Sequence, residues 1–592
     1  MATESFFSSA SLAYLASAGA GKDGKTYSIK PTDGSGDFTF SRGSNLAATR
    51  VGPTGLIEKG RENLLLQSNS FDTTWVSVSA SVTSGQSGYD GSTDAWLLSK
   101  SGANGRITQT KSISGIFTFS VYVKKGTTDW VLLYKTGTGE GGRYFDLTNG
   151  VTGSSIATAP IDSKIEDVGN GWYRCSIVGN SATAVVAYVA DSNGSHSGTS
   201  GSIYIQDAQA EIGLAATDYI ESGATTGKAG LLEDEPRFDY SGGATCPSLL
   251  LEPSRSNLVT QSEYFGGWIL SRTSAFGSGS IINDTTSPEG FVNAAYIQQA
   301  SGQVTAGGVF NAYSYTSGTT YTLSLFAKKK EGRYLRLGFS IGTGNASVFC
   351  NFDLQGGISG SPDTGITPKI EDYGNGWYRC SITKNSEVTG TKNTFLYQSN
   401  SLNSSSATPL EGIYIYGAQL EEGSYATSYI PNHSGGTVTR GVDNITNLTG
   451  FSSLIGQTEG TLFLEIENSS NSTEIFSLDA NTNNSIFLRS VNNLYGAYMW
   501  SDGVVWSPTT SVNINDRIKI AIAYQTDNFA VYANGVQVAT NNSLTWTPNQ
   551  SLDRLLFNKG GWIAGSGQAQ YNQVLLFKER LSNADLATLT TL

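Results

Sequence analysis

The chain has little charge, few candidate nucleophiles or metal ligands, and no long apolar run. Only 15% of its 592 residues are charged, against about 25% in ordinary globular proteins. No stretch stays apolar for long enough to span a membrane, and the first residues lack the basic region of a secretory signal. The formal charge of −12 repels phosphate backbones. We therefore predict no membrane insertion and no nucleic-acid partner.

Two histidines and four cysteines leave little room for metal or nucleophile chemistry. His196 and His433 lie in Gly- and Ser-rich stretches without neighbouring Cys or His, so the sequence predicts neither a zinc site nor a catalytic triad. Cys175 and Cys380 occupy the same place in two nearly identical phrases. Alternation puts both on the apolar face of a strand, so we expect buried thiols that act as small hydrophobes rather than a disulfide framework.

Glycine and aromatic residues are abundant instead. The chain has 70 Gly residues and is 11% aromatic. Short alternating runs, separated by Gly, Ser and Asn, are typical of strands joined by turns. A chain of this length is expected to form about three or four domains. The composition therefore predicts an all-β protein of several domains.

An internal repeat organises most of the chain. "KIEDVGNGWYRCSI" begins at Lys164, and "KIEDYGNGWYRCSI" begins at Lys369. "IYIQDAQAEIGLAATDYI" from Ile203 likewise matches "IYIYGAQLEEGSYATSYI" from Ile413, and further phrases match in the same order. The sequence therefore predicts two copies of one β-sandwich that differ by loop insertions.

The repeated phrase itself predicts a hairpin and a two-faced strand. Asn170-Gly171 favours a tight turn. In the following strand the core face holds Tyr173, Cys175 and Ile177, and the other face holds Trp172, Arg174 and Ser176. Arg174 can then stack on the Trp172 indole. Trp172 and its counterpart Trp377 form either a structural element or a sugar-binding platform; because the whole phrase recurs with its turn, we favour the structural role.

After Arg440 the pattern of alternating runs changes, which indicates a different all-β unit. "YANGVQVA" predicts a hairpin at Asn534-Gly535. At the end of the chain, Ser582 is placed to cap a short helix that has Asp585 at its third position.

One stretch matches the phosphate-binding loop pattern, "GAGKDGKT" from Gly19 to Thr26. A functional loop of this kind needs a buried strand before it and a helix after it. Here Tyr27 and Ile29 alternate like strand residues, and Pro31 prevents a helix start. We therefore predict a surface loop rather than a nucleotide site.

Several phrases resemble a group of bacteriophage virion proteins. The stretch from Lys25 to Ile57, "KTYSIKPTDGSGDFTFSRGSNLAATRVGPTGLI", is similar to their opening. In that group a "PRxDYxGG…CPSLLLEPxxTNL" stretch usually follows; here it appears at Pro236–Leu258, so the first repeat looks inserted between Glu58 and Glu235. The repeats are similar to carbohydrate-binding-module-like sandwiches of phage fibres. The last unit, through "AIAYQTDNFAVYANGVQVA", resembles laminin-G or concanavalin-type jelly rolls.

The resemblance implies an all-β fold with two related β-sandwiches (jelly-roll, carbohydrate-binding-module-like) followed by a laminin-G/concanavalin-like β-sandwich. The predicted segments are an N-terminal virion-attachment segment (1–60), a first repeat (61–230), a connecting segment (231–255), a second repeat (256–440) and a C-terminal domain (441–592). Ser5–Ala18 is apolar yet has little to pack on by itself. We expect it to order only against a virion partner or within an oligomer.

The function implied by the resemblance is that of a non-enzymatic, structural virion appendage of the tail-fibre or spike type. It would be made in the host cytoplasm, join other virion proteins through its N-terminus, bind host-surface carbohydrate and form a homo-oligomer. Two alternatives stay open, a head fibre or capsid-decorating protein with weak glycan adhesion and a polysaccharide depolymerase. A depolymerase tailspike would usually show parallel β-helix periodicity, which this sequence lacks.

The predicted glycan site lies in the C-terminal domain. Aromatic rings stack on apolar sugar surfaces, and neighbouring polar side chains bind hydroxyls. Rings near Gly, Asn and Asp are therefore the candidates: Tyr498, Trp500, Trp506 and Trp562. No cofactor is predicted. Calcium often accompanies jelly-roll lectins, and Asp479, Asp502 or Asp527 could serve as ligands, but no pattern fixes a ligand set.

Overall fold

The computed structural model describes residues 2–18, 21–22, 24–43, 46–271, 284–446, 450–468, 474–480, 484–501, 504–546, 551–557 and 567–591. These residues are almost entirely in strands and turns, with one short α-helix near each end of the described range. Neither α-helix of this described part has the length and apolar character needed to cross a membrane.

The elements of the first half of the chain are short, apart from two long strands. The N-terminal segment forms α1 (Ala2–Ser9), β1 (Leu12–Leu15), β2 (Gly21–Lys22), β3 (Lys25–Thr26), β4 (Phe38–Ser41), β5 (Thr49–Val51) and β6 (Ile57–Lys59). The first repeat forms β7 (Arg61–Asn63), β8 (Val76–Val78), β9 (Ala80–Gln86), β10 (Ala95–Lys100), β11 (Arg106–Lys125), β12 (Trp130–Thr136), β13 (Gly141–Asp146), β14 (Val151–Ala157), β15 (Asp162–Gly169), β16 (Trp172–Ala190), β17 (Ser202–Ile212) and β18 (Gly227–Ala229). The connecting segment forms β19 (Arg237–Asp239), β20 (Ser248–Leu251) and β21 (Arg255–Asn257).

The second half of the chain continues the same pattern. The second repeat forms β22 (Ile269–Ser271), β23 (Thr285–Thr286), β24 (Val292–Gln298), β25 (Gly307–Tyr315), β26 (Thr320–Lys329), β27 (Tyr334–Phe339), β28 (Val348–Asp353), β29 (Ile358–Ser359), β30 (Thr367–Asp372), β31 (Trp377–Asn385), β32 (Gly390–Ser399), β33 (Gly412–Glu422) and β34 (Val438–Arg440). The C-terminal part forms β35 (Asn444–Thr446), β36 (Glu459–Asn468), β37 (Glu474–Asp479), β38 (Asn484–Val491), β39 (Leu494–Ser501), β40 (Val504–Trp506), β41 (Thr509–Asn513), β42 (Ile518–Gln525), β43 (Phe529–Ala533), β44 (Val536–Asn541), β45 (Arg554–Phe557), β46 (Ala569–Phe577) and α2 (Asn583–Leu589).

Two compact units form from alternating parts of the chain. The first unit takes Met1–Glu58, Glu233–Arg255 and Thr439–Leu592, and the second takes Lys59–Leu232 and Ser256–Val438. This grouping differs from a simple succession of five segments, because the N-terminal and connecting segments add strands to the C-terminal sandwich. The two repeats together make up the second unit.

The first unit is a β-sandwich. One sheet runs in the order β19-β20-β46-β36-β42-β43-β44, with β1 added against β46. The other runs β40-β39-β38-β37-β45, with β41 against β39. One continuous core takes side chains from both sheets, such as Leu464 of β36 and Leu488 of β38. The alternating apolar runs predicted this arrangement, since each buries one face of a strand.

The N-terminal segment is an integral part of this sandwich. β1 pairs antiparallel with β46. Tyr14 is fully buried, its ring lies edge-on to Phe38 and Phe557, and its hydroxyl lies 3.0 Å from Thr26 Oγ1. The expectation that Ser5–Ala18 orders only against a virion partner or in an oligomer is wrong, because a strand at the other end of the same chain completes its hydrogen bonds and covers its apolar side chains.

The described part of the phosphate-loop-like stretch also belongs to this unit. It contains the short strands β2 and β3, which pair with each other, and β3 pairs with β4. The chain enters a strand where a nucleotide-binding loop would enter a helix. The prediction that this stretch is not a phosphate site agrees with that geometry.

A buried ion-pair network joins the three parts of the first unit. Arg237 contacts Glu252 at 2.8 Å and also pairs with Asp443. Arg440 contacts Glu252 at 2.7 Å, and Arg42 contacts Asp443 at 3.2 Å. Removing one partner from such a buried network leaves an uncompensated charge, which typically costs about 3–5 kcal/mol. The network therefore specifies how the three segments meet.

Each repeat of the second unit has two layers, named here A and B. In the second repeat, layer A is the sheet β22-β25-β32-β27-β28-β29 and layer B is β23-β24-β33-β26-β31-β30. In the first repeat the equivalent strands follow the same order. They are joined into one sheet, because the long strands β11 and β16 run through both layers. Their pairing starts at Arg106 opposite Tyr188, shifts register between Thr110 and Ile116, and ends at Lys124 opposite Trp172. Bulges of this kind let a strand pass from one layer to the other.

The predictions of an all-β chain built from related β-sandwiches and of two tight turns are confirmed. Asn170 and Gly171 have φ values of 55° and 76°, and Asn534 and Gly535 have 49° and 81°. Two consecutive positive φ values are typical of the hairpin turn that Asn-Gly favours. The predicted helix cap is also present, because the Ser582 side chain accepts a hydrogen bond from the Asp585 N–H.

The two repeats contact each other within the second unit. Arg61 Nη2 of the first repeat lies 3.2 Å from a carboxylate oxygen of Glu289 in the second, and Lys59 just before the first repeat lies 2.6 Å from the other oxygen of Glu289. The Ile116 N–H of the first repeat donates to the His433 carbonyl of the second at 3.0 Å. Buried charge pairs and a main-chain hydrogen bond therefore fix this contact.

Candidate functional site

The predicted glycan-binding residues of the C-terminal domain do not all lie together. Tyr498 and Trp500 lie two residues apart on β39, so both face outward, while Met499 between them faces the core. Tyr498 stacks on Phe487 of β38, with ring centroids 4.3 Å apart and an interplanar angle of 26°. The Arg489 guanidinium, on the same outward face of the sheet, lies 4.8 Å from the Tyr498 ring centroid. These four side chains, Phe487, Arg489, Tyr498 and Trp500, are half-buried and are called the β39 face below.

Trp506 points the other way. It lies opposite Met499, and its ring contacts Phe529 of the core with centroids 6.1 Å apart. Trp546 is 2% exposed and is also part of this core. Trp562 lies outside the described residues. The structure therefore brings together only Tyr498 and Trp500 among the predicted residues that it describes.

The proposed calcium ligands are also separated. Asp479 forms an ion pair with Arg554 at 2.8 Å, and Asp527 lies in the turn before β43. Asp502 lies outside the described residues. Within the described ranges, no three His, Cys, Asp or Glu side chains form a group that could hold a metal ion.

The repeated phrase has a structural role in both repeats. Trp172 and Trp377 are 1% and 2% exposed, so neither can serve as a sugar platform. Cys175 and Cys380 are fully buried in the cores, as predicted, and burial raises the pKa of both thiols. Arg174 does not stack on Trp172 as expected; its guanidinium lies 5.2 Å from the Tyr122 ring centroid on the neighbouring strand.

The sequence did not predict the aromatic group on the outward face of layer A in the first repeat. Tyr188 lies at its centre, with the Tyr134 ring edge-on at a centroid distance of 6.2 Å. The His196 ring lies 4.8 Å from Tyr188, and the Arg106 guanidinium lies 5.3 Å from the Tyr188 ring centroid. All four side chains are half-buried. These four residues, Arg106, Tyr134, Tyr188 and His196, are called the Tyr188 cluster.

Hydrogen bonds hold the loop of the Tyr188 cluster in place. His196 Nδ1 lies 2.7 Å from the hydroxyl of buried Tyr144. Lys100 pairs with Asp191 at the start of this loop and donates to the His196 carbonyl at 3.1 Å. Tyr144 therefore holds the ring of His196, and Lys100 holds its backbone.

The electrostatics of the cluster follow from partial burial. Burial raises the pKa of Tyr188, and Arg106 partly offsets this by favouring the phenolate. Burial and the nearby Glu140 carboxylate raise the pKa of Tyr134. Burial, Lys100 and Arg106 lower the pKa of His196, and Asp191 opposes them. At neutral pH the cluster therefore presents three neutral rings and one guanidinium, with the Glu140 carboxylate near the two tyrosines.

The same face in the second repeat has a different composition. β12 of the first repeat and β27 of the second are equivalent strands, and Leu132 and Arg336 hold the same position on them. Leu132 pairs with Tyr188, and Arg336 pairs with Tyr397, so Tyr397 is the counterpart of Tyr188. Its neighbours are rings of phenylalanine, and the Arg336 guanidinium lies 4.1 Å from the Phe349 ring centroid. Phe310, Phe349, Phe395 and Tyr397 pack against one another and are called the Phe395 cluster. Tyr397 and Phe395 are only 7% and 8% exposed.

A polar hollow also lies at the edge of the second repeat. It has a volume of about 350 Å³ and is lined by Lys329, Glu331, Arg333, Tyr334, Asn400, Thr408 and Glu411. Arg333 is held by Asp353, with Nε 2.7 Å from Oδ1. The charge of Arg333 is therefore already paired, and the other charged groups of the lining, Lys329, Glu331 and Glu411, are of both signs.

Comparisons with known proteins give distant similarities only. No protein-family model matches the chain, and no curated protein matches it. Domain 4 of an extracellular GH43 arabinanase from Geobacillus stearothermophilus, solved with arabinotriose, is 12% identical over 25% of this chain and 73% of that chain, with a TM-score of 0.22. The N-terminal tandem CBM22 domains of a Paenibacillus barcinonensis protein are 10% identical over 65% of this chain and 99% of that chain, with a TM-score of 0.19.

A mouse structure, the LG4-5 domains of the laminin α1 chain, is 7% identical over 52% of this chain and 96% of that chain, with a TM-score of 0.18. Identities of 12% or less and TM-scores of 0.22 or less establish neither a family nor a function for this chain.

Proposed function

We propose that this protein is a non-enzymatic phage virion appendage that binds host-surface carbohydrate through the β39 face of its C-terminal sandwich. The observation that carries the proposal is the position of Tyr498 and Trp500, side by side and half-buried on one outward sheet face. Tyr498 is held between Phe487 and Arg489, so the half-buried Trp500 beside it is the ring that offers surface to an apolar sugar face.

The polar neighbours suit the same ligand. Arg489 lies over Tyr498, and Ser485 lies opposite Trp500 on β38. Guanidinium and hydroxyl groups can donate to sugar hydroxyls at the edge of a stacked ring. One such site contributes about 1–2 kcal/mol per ring, so the affinity of a single site is weak and rises when several copies bind together.

The virion role rests on the phrases that resemble phage virion proteins. Because α1 and β1 are built into the sandwich, attachment falls to the exposed parts of the N-terminal segment. Tyr27 and Ile29 are 36% and 37% exposed there and are the apolar residues best placed for a virion contact. Imaging of virions with a labelled antibody against this protein tests the role, and particles that lack the label would contradict it.

The glycan site is tested by binding of the full-length protein to host-surface glycans. Trp500→Ala should weaken binding about five- to thirty-fold with little change in melting temperature, because it removes an outward ring. Val536→Ala is the matched control, since Val536 is 67% exposed on the other sheet of the same sandwich. Trp506→Ala should instead lower the melting temperature, because that ring packs on the core.

The alternative of a depolymerase is tested in the same samples. Incubation with host capsule or cell-wall glycan should release no reducing ends. If reducing ends appear, the protein is an enzyme; if Trp500→Ala binds every glycan as well as the unaltered protein does, the β39 face is not the site.

A further inference from the structure

The cation of the Tyr188 cluster, Arg106, has no ion-pair partner in the part of the chain that the structure describes. Among the residues that the structure describes, Arg106 forms no ion pair within 4.0 Å. Its Nη1 donates to the carbonyl of Asn104, in the turn just before β11, at 3.3 Å. The neighbouring Lys100 is already paired with Asp191. A half-buried guanidinium on an outward face is therefore available to an anionic ligand.

The side chains around Arg106 are of the kinds that can bind a sugar ring. Tyr134 and Tyr188 present aromatic surface, and His196 lies against Tyr188. The Glu140 carboxylate, which raises the pKa of both Tyr134 and Tyr188, supplies an acceptor for sugar hydroxyls. Aromatic surface, one cation and one acceptor within a single face correspond to a sugar that carries a carboxylate.

We propose that the Tyr188 cluster is a second carbohydrate site, which binds carboxylate-bearing sugars, with Arg106 pairing with the carboxylate and Tyr188 stacking on the ring. The bidentate geometry of Arg with a carboxylate makes this pairing directional. The chain as a whole carries a formal charge of −12, so the selection of an anionic sugar depends on this local cation.

The described part of the second repeat lacks the equivalent site. Gly308 lies opposite Tyr397, as Arg106 lies opposite Tyr188. A Cβ added at Gly308 would lie 2.2 Å from the Leu396 carbonyl oxygen, so no side chain fits there. Arg336, the nearby cation, is stacked on Phe349 and donates to Asn351 at 2.8 Å. Among the described residues, the groups of the proposed site therefore come together in the first repeat and not in the second.

The test measures binding of the full-length protein to a panel of carboxylated oligosaccharides, uronates and sialosides, each paired with its methyl ester. The ester keeps the sugar and removes only the charge. We expect at least one carboxylated probe to bind about tenfold more tightly than its ester. Arg106→Gln should abolish that difference, and Glu140→Gln should increase it, because the second change removes a repelling charge.

Lys164→Gln is the matched control. It removes one positive charge from layer B of the same repeat, where Lys164 is paired with Glu166, and it should leave the preference unchanged. If no carboxylated probe binds better than its ester, or if Arg106→Gln keeps the preference, the proposal is wrong. If Arg106→Gln unfolds, the opposite effect expected of Glu140→Gln still decides the question.

This site is separate from the β39 face, and the two can fail independently. The preference for carboxylated probes should persist in Trp500→Ala, which alters only the β39 face. Loss of the preference in Trp500→Ala would contradict the second site, whereas a Trp500→Ala protein that loses only neutral glycans would support both sites.

Discussion

The two repeats place different side chains on the same sheet face. In the first repeat the outward face of layer A carries two tyrosines, a histidine and an arginine that forms no ion pair with any described residue. In the second repeat phenylalanine rings pack on one another there, and Tyr397 is only 7% exposed. The inward faces, by contrast, are closely alike, with Cys175 and Cys380 fully buried at equivalent positions.

This difference distinguishes the positions whose side chains are constrained by folding from the positions whose side chains can vary between the two copies. The core face of each strand is constrained because its side chains fill space between two layers. The outward face of layer A is free of that constraint, so it can become a ligand surface in one copy and a packed apolar surface in the other.

The largest expected effect tests the shared core. Cys175→Asp and Cys380→Asp each bury an unpaired charge, so each should destabilise its repeat by about 3–5 kcal/mol. Calorimetry should show the transition of the second unit at a much lower temperature in both variants. Cys246→Asp is the control, since Cys246 is exposed and should have almost no effect. Rapid labelling of Cys175 and Cys380 in the native protein would contradict the assignment of both thiols to the core.

A smaller loss of stability is expected when the residues at one pair of equivalent positions, Arg106 and Gly308, are exchanged between the repeats. Gly308→Arg should cost about 1–3 kcal/mol, because the new Cβ meets the Leu396 carbonyl oxygen at 2.2 Å. Arg106→Gly should cost about 1 kcal/mol, because it adds a flexible residue to an outward strand position and removes the contact of the guanidinium with the Tyr188 ring. Equal melting temperatures for the two variants would show that the backbone does not enforce the difference between the repeats.

The smallest effect concerns pH. The pKa of His196 is lowered in the folded protein, chiefly by burial, so near its ordinary value of 6.5 the unfolded chain binds more protons than the folded one. The contribution of His196 to stability is therefore greatest above that pH and falls as the pH decreases through it. The groups facing His196 are Tyr144, Tyr188, Arg106, Lys100 and Asp191.

His196→Asn should remove this part of the pH dependence. Melting temperatures of the unaltered protein and of the variant, measured from pH 8 to pH 5, should approach each other as the pH falls. His433, the second histidine, is present in both proteins and cancels in the difference. A gap that widens toward low pH would mean that folding raises the pKa of His196 instead.

Local patterns in the sequence predicted local structure well. The Asn170-Gly171 turn, the helix cap at Ser582 and the burial of Cys175 each depend on a few neighbouring residues. The repeat itself was visible because two copies of the same phrases occur in one chain.

Long-range contacts were beyond the reach of those patterns. β1 joins β46 at the other end of the chain, and no nearby residue signals that pairing. The Tyr188 cluster takes residues from β11, β12, β16 and the loop that follows it, so no single stretch contains its pattern. Aligning "VVAYVA" with "TFLYQS", the equivalent strands of the two repeats, would have placed Tyr188 beside Tyr397 and raised the question of its neighbours.

The difference between the two repeats is tested most directly by substituting these two tyrosines in the full-length protein. We predict that Tyr188→Ala weakens the binding of carboxylated oligosaccharides about five- to thirty-fold, because it removes the stacking ring, and leaves the melting temperature nearly unchanged. Tyr397→Ala should lower the melting temperature, because its ring is packed, and should leave this binding intact. If Tyr397→Ala weakens this binding as much, or if Tyr188→Ala binds the carboxylated oligosaccharides as tightly as the unaltered protein does, the first repeat does not carry the proposed site.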